Sequence, residues 1–241
     1  TLCELRQRGL KLLFFTNANA HSVSFWHDRL EKIGIEATPN EILTSALVAA
    51  EAVKELYPDR KILPVGGEGL IEALQQQELH LLDINQAAEA DVVVMGKAHH
   101  FNHQWLEAVC EAIWSGAKFI VTNIDPRVPT AIGFKPGTGP MIKAVAYATG
   151  CDPLVTGKPS EWAVKSALTH LKATPEQVGL VGDQLEVDIA LGKRAGFFTF
   201  LVLKGVTPPD QIEAIPMTLQ PDLILPEVGD LLEWIDREYQ A

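Results

Sequence analysis

Two acids five residues apart, Asp183 and Asp188 in "LVGDQLEVDIA", follow an apolar run that ends at Gly182. A hard cation such as Mg2+ takes carboxylate oxygens and keeps several waters, so an acid at the mouth of a strand suits it. Asp183 is the candidate ligand; Asp188, near the start of the next helix, is placed to orient a water or a lysine. The plain alternative is that both acids complement the dipole of that helix. Thr16 and Asn17 follow "LLFF" and precede Ala18-Asn19 and a helix. A hydroxyl, an amide and loop N–H groups can hold phosphate oxygens there, although an ordinary N-cap uses the same residue types. Lys158 in "TGKPSEW" lies between a strand and a helix capped by Ser160. An ammonium held there neutralises a phosphate and nearby carboxylates, although most lysines are solvated surface charges.

Thr16-Asn17, Lys158 (with Gly157, after "PLVT") and Asp183 share one feature: each directly follows a strand-like run. Such runs cover 11–15, 61–65, 90–95, 119–122, 178–181, 198–203 and 222–225. Between them, helical periodicity covers 22–33, 69–77, 102–114, 139–149, 160–171, 186–195 and 228–238. A further helix is expected from Thr38 to about Leu56, with Thr38 as N-cap, Pro39 at N1 and Glu41 closing a capping box. Alternating strands and helices with continuously apolar strands imply an α/β fold, a mostly parallel sheet with helices on both faces. Ligands bind such sheets beyond the carboxyl ends of the strands. Asn123 and Asp125 after "FIVT" occupy that position too.

Composition narrows the function. The 241 residues are 47% hydrophobic and 21% charged, with a formal net charge of -11. That charge argues against a nucleic-acid surface, which needs a basic stripe. No apolar run approaches a membrane span, and no basic and apolar leader opens the chain, so a cytoplasmic protein is expected. Cys3, Cys110 and Cys151 are widely spaced and read as free thiols. His99 and His103 are four apart, as a transition-metal site on a helix needs, but no HExxH accompanies them, and a polar surface is the better reading. "VGGEGLIEA" is not GxGxxG, and Glu68 would repel a pyrophosphate.

The order hydroxyl, lysine, acids carries a resemblance. "LLFFTNAN", "GKPSEWAVKSAL" and "GLVGDQLEVDIALGKRAG" resemble the second, third and fourth motifs of the haloacid dehalogenase (HAD) phosphatases. The branch they are most similar to holds NagD-like, 4-nitrophenylphosphatase and phosphoglycolate phosphatase members, and "GAKFIVTNIDPRVPTAIGFKPGTGPMIKAVAYATG" resembles its cap domain. The resemblance implies a Rossmann-like parallel-sheet core from residues 1–58 and 155–241, with an inserted α/β cap at 59–154. It implies that Thr16 and Asn17 bind the transferring phosphoryl group, and that Lys158 holds the phosphate and the nucleophile's charge. Asp183 would bind Mg2+ with Asp188 supporting it, and Asn123 and Asp125 would contact a small phosphorylated metabolite from a cap loop. A homodimer through the cap is expected on the same ground.

The sequence departs from that family in two places. The family's first motif, an Asp-x-Asp whose first acid attacks phosphorus, does not precede Thr16. The nucleophile is therefore expected upstream of Thr1. The rival expectation is an inactive phosphate-binding or interaction module. In the cap, "GKAHHFNH" puts Ala98 where the branch commonly has an acid and His103 where it has a tyrosine, so no substrate is carried over from any one member.

Overall fold

The computed structural model describes residues 1–130, 132–207 and 215–239. The chain opens with α1 (Leu2–Gln7), β1 (Phe14–Thr16), α2 (Val23–Lys32), β2 (Ile42–Thr44) and α3 (Ser45–Leu56). It continues through β3 (Lys61–Val65), α4 (Glu68–Gln76), β4 (His80–Leu81), β5 (Val92–Met95), α5 (His103–Trp114) and β6 (Lys118–Val121). A hairpin, β7 (Arg127–Thr130) and β8 (Gly133–Pro136), precedes α6 (Gly139–Thr149), β9 (Leu154–Val155) and α7 (Glu161–Leu171). Then come β10 (Gly179–Gly182), a π-helical turn (Leu185–Ile189) running into α8 (Ala190–Ala195), β11 (Phe198–Val202), β12 (Leu223–Leu225) and α9 (Leu231–Tyr239).

Packing divides the chain into two units. One holds Phe14–Ile33 and Ala37–Gly157; the other holds Thr1–Leu13, Gly34–Glu36 and the described residues from Lys158 on. In the first, a parallel sheet runs β4-β3-β5-β6-β9. Side chains alternate across it. Leu63, Val93, Met95, Phe119 and Val121 face an apolar layer with Val109 and Ile113 of α5 and Ile142 and Val145 of α6. Ile62, Val92, Val94 and Ile120 face the other layer, with Ala46, Ala49 and Val53 of α3 and Leu70 and Leu74 of α4. Both faces are covered, which is why these strands are apolar throughout. That second layer also joins residues 45–53 to the 59–154 segment by packing. The short parallel pair β1-β2 belongs to the same unit.

The other unit is built on the parallel sheet β10-β11-β12. Phe200 and Leu225 pack with Leu5 and Leu231 on one side, while Leu201 packs with Leu185 and Ile189 on the other. No helix of the described residues is long and apolar enough to cross a membrane.

The expected helix from Thr38 to Leu56 is corrected. Glu41 does accept the Thr38 amide (2.8 Å), but the capping box closes only a 3-10 turn at Pro39–Glu41. Ile42-Leu43-Thr44 then extends and pairs in parallel with Phe14-Phe15-Thr16. Two of these three are β-branched, and all are buried, so strand pairing overrides the local helix signal. The N-cap of α3 is Thr44, whose hydroxyl accepts from the Leu47 amide.

Candidate active site

Four polar side chains of the first unit form a closed hydrogen-bonded circuit at strand ends. β1 stops at Thr16, whose hydroxyl accepts from the Ala18 amide (3.1 Å) and turns the chain. The Asn17 side-chain amide donates to Asp125 Oδ2 (3.4 Å), which also accepts from Asn123 Nδ2 (2.6 Å). Asn123, 3% exposed, accepts at Oδ1 from Thr122 (3.1 Å) and from Asn19 (2.8 Å). Asn19 returns to Asn17 by donating to its carbonyl (3.1 Å), which Ser45 Oγ also reaches (2.7 Å). Gly157 closes tightly on this group: a Cβ there would lie 2.2 Å from the Thr122 carbonyl and 2.9 Å from Asn17 Oδ1. Three positions singled out in the sequence, Asn17, Asn123 and Asp125, thus meet in one network, and Thr16 turns the chain into it.

The second unit brings together the other three. Lys158 Nζ lies 2.7 Å from Asp188 Oδ1, and the two side chains are 11% and 9% exposed. Asp188 Oδ2 accepts from the amides of Asp183 (3.2 Å) and Gln184 (3.1 Å). Both oxygens of Asp188 are therefore engaged in holding a lysine and a loop. The sequence suggested a plain helix over 186–195; instead the first turn is π-helical, with the Ile189 amide reaching the Gln184 carbonyl (3.1 Å). That widened turn swings Asp188 back over the strand end. Gly182 permits it, since a Cβ there would sit 2.2 Å from the Asp188 Cβ. Asp183 is half-buried; its Oδ2 accepts from the Val206 amide (2.7 Å), and its carbonyl accepts from Thr207 Oγ1 (2.6 Å). Gly205 makes that approach possible, a Cβ there falling 2.3 Å from the Asp183 side chain.

Sequence reasoning assigned no role to Asn19 or to the Gly205–Thr207 loop. Asn19 was visible as a second amide within the same strand-end loop, and "KGVT" follows the apolar run of β11. The histidines do not converge: His103 pairs with Glu107 (3.1 Å) and His100 meets the Trp105 ring edge. The cysteines are free thiols, and burial pushes the Cys110 thiol up. "VGGEG" packs on the loop after β1: the Gly69 amide donates to the Ala20 carbonyl (3.3 Å), and a Cβ at Gly67 or Gly69 would strike Ala20 or His21.

Comparison with known proteins gives the family and the fold. The haloacid dehalogenase-like hydrolase family matches residues 1–80, and the HAD-hydrolase-like family matches residues 155–231. The ribonucleotide monophosphatase NagD of Escherichia coli (strain K12) is 30% identical over 94% of this chain and 87% of its own. An acid sugar phosphatase of Staphylococcus saprophyticus is 33% identical over 89% of this chain and 82% of its own. The solved p-nitrophenyl phosphatase from Archaeoglobus fulgidus superposes with a TM-score of 0.88 at 33% identity, covering 97% of this chain and 89% of that one.

Proposed function

The chain belongs to the haloacid dehalogenase-like hydrolases, in their NagD-like phosphatase branch, and from that premise we propose that it hydrolyses a small phosphomonoester through an aspartyl-phosphate. The observation that carries this reading is the nearly buried Lys158–Asp188 pair, whose carboxylate also accepts from the Asp183 amide. A stability role alone explains it poorly, because a buried ion pair adds little to stability over apolar packing. A lysine held in one place by a carboxylate suits charge stabilisation on a transferring phosphoryl group.

No Asp-x-Asp occurs in the 241 residues, so in this proposal the attacking carboxylate lies upstream of Thr1. Its oxygen bonds to phosphorus as the ester P–O bond breaks, and the alcohol leaves with a proton given by the second acid of the same Asp-x-Asp, which takes a proton back from the water of the next step. Water then attacks phosphorus, freeing inorganic phosphate and restoring the carboxylate. Among the described residues β1 is paired only with β2, and β10 only with β11. Each keeps an edge that a further strand can pair.

Thr16 and Asn17 bind the phosphoryl oxygens in this reading, and Lys158 neutralises their charge. Asp188 positions Lys158. Asn123 and Asp125 contact the substrate, with 59–154 serving as the cap. Asp183 suits Mg2+: it is a half-exposed carboxylate with one oxygen steadied by the Val206 amide, and Mg2+ needs only one or two carboxylates. When bound, the ion would offset charge on the phosphate oxygens. Cytoplasmic location and a homodimer through the cap belong to the same reading; light scattering that finds only monomers would remove the dimer.

The test is steady-state hydrolysis of an aryl phosphate by the full-length protein in Mg2+. Turnover is expected to fall at least about 100-fold in Asp183→Asn and on chelation of the metal. Equal rates for wild type and Asp183→Asn would sink the proposal.

A further inference from the structure

We propose that Asn19 is a positioning residue for the reaction: one buried amide sets the Asn17 phosphate contact and the Asn123–Asp125 substrate contact in register. This rests on the phosphatase reading above. Its part in the reaction comes through the side chains and backbone it holds.

Asn19 is 2% exposed, and its amide is used on both sides. The two Nδ2 hydrogens go to the Asn17 carbonyl (3.1 Å) and to Asn123 Oδ1 (2.8 Å). Oδ1 accepts from the Lys97 amide (2.6 Å). Gly96 is required for that approach, since a Cβ there would lie 2.7 Å from Asn19 Oδ1. Three chain segments that follow different strands, β1, β5 and β6, are therefore tied to a single side chain. The tie is directional. Because Asn123 Oδ1 faces two donors, Asn19 and Thr122, its Nδ2 must face Asp125. Asp125 Oδ2 thereby stays where Asn17 Nδ2 can reach it. Asn17 is thus held at its backbone by Asn19 and at its side chain by the acid that Asn19 orients indirectly.

Only an amide of this length meets the pattern of two donors and one acceptor. In Asn19→Asp the side chain keeps its size and still accepts from Lys97, but turns a carboxylate toward two oxygens. Asn19→Ser retains one donor and one acceptor in a smaller volume and is the milder variant. A displacement of about 1 Å at a positioning contact can cost about 100-fold in rate.

The experiment measures kcat, KM and the inhibition constant of inorganic phosphate for the full-length wild type, Asn19→Asp and Asn19→Ser, with folding checked by circular dichroism. Expected are a fall in kcat/KM of about 10- to 100-fold for Asn19→Asp, a smaller fall for Asn19→Ser, and weaker inhibition by inorganic phosphate in both. A merely structural role lowers the active fraction, which scales kcat but moves neither KM nor the phosphate constant. In an Asp125→Ala background the Asn19 substitutions should cost less, because part of what Asn19 holds is already gone. Folded variants with unchanged KM and phosphate inhibition overturn the inference and leave the phosphatase reading standing. A wild type without turnover removes that reading and this inference with it. Should Asn19→Asp not fold, Asn19→Ser decides by the same two constants.

Discussion

Lys158 and Asp188, which the proposed reading places in the site, differ in their energetics from a pair kept for stability. Their pair is 2.7 Å long and nearly dry. Removing one partner leaves a desolvated charge facing the wrong surroundings, which costs about 3–5 kcal/mol, while replacing both by apolar groups costs far less. Asp188→Ala should therefore unfold at much lower urea than Lys158→Met/Asp188→Leu, and all of these variants should lose turnover. Additive single-variant losses in urea unfolding would refute the coupling. The cysteines supply a second residue-scale expectation. Cys3 is exposed, and Cys110 is buried with its thiol pushed up by desolvation. A thiol-specific reagent should label Cys3 in the native protein and Cys110 only after denaturant is added; labelling of both at one rate would contradict that burial. Asp183, Lys158 and Thr16-Asn17 stood out in the sequence as candidates because each lies just beyond a strand-like run. Asn19 did not, since nothing in a sequence says which of two nearby amides is turned inward.

At the scale of elements, the turn after β10 decides whether Asp188 reaches Lys158. Gly182 and the π-helical turn act together here: the widened turn brings Asp188 over the strand, and the missing Cβ makes room. Gly182→Ala should force the two apart, with a loss of about 1–3 kcal/mol from overpacking. Turnover should fall more than stability, because the lysine's support moves. Thermal melts and aryl phosphate assays of the same preparation separate the two effects; equal turnover at reduced stability would show that the turn tolerates the shift. This element was half legible. The 186–195 helix and its end at Gly196, left-handed at φ 74°, follow from periodicity and the glycine. The π turn does not, because it arises from Asp188 capturing the amides of Asp183 and Gln184. β2 was hidden for a similar reason. Its three residues fit a helix as well as a strand until pairing with β1 chooses, and choosing requires a partner 28 residues away. The β7–β8 hairpin was hidden by Pro129 and Pro136, which read as loop but are tolerated in an isolated two-stranded ribbon.

For the whole molecule, the formal charge of -11 and several depressed carboxylates point to an acid limit on stability. Glu89 beside Lys61 and Glu227 beside Lys204 are held below the ordinary carboxylate range by hydrogen bonds from their lysines. Burial alone would push Asp222 up; hydrogen bonds from Lys193 and Thr199, with the lysine's charge, outweigh it and hold it below its ordinary value. A carboxyl lower in the folded state than in the unfolded chain stabilises fully above its unfolded value, about 4. That contribution is lost as pH falls through the folded value. The lysines carry the opposite sign. Lys61 and Lys204 are raised by the same hydrogen bonds, so their contribution is present below about 10.4 and lost as pH rises through the folded value. Stability should therefore hold between about pH 5 and 10 and fall on the acid side. The three acids do not share that fall equally. Glu89 and Glu227 lie at the surface, where such pairs add little and salt screens them. Asp222 ties β12 to β11, accepting from the Thr199 amide (2.8 Å) and hydroxyl (2.6 Å) while Lys193 meets its other oxygen (2.6 Å). Asp222→Asn should lower the melting temperature on the neutral plateau and flatten the decline below about pH 4.5, because the group that titrates is gone. Glu227→Gln should leave both features unchanged, and 0.5 M salt should not reproduce the Asp222→Asn effect. Melting temperatures taken from pH 3 to pH 8 decide it: an acid limb for Asp222→Asn parallel to that of the wild type would assign the fall to other carboxylates.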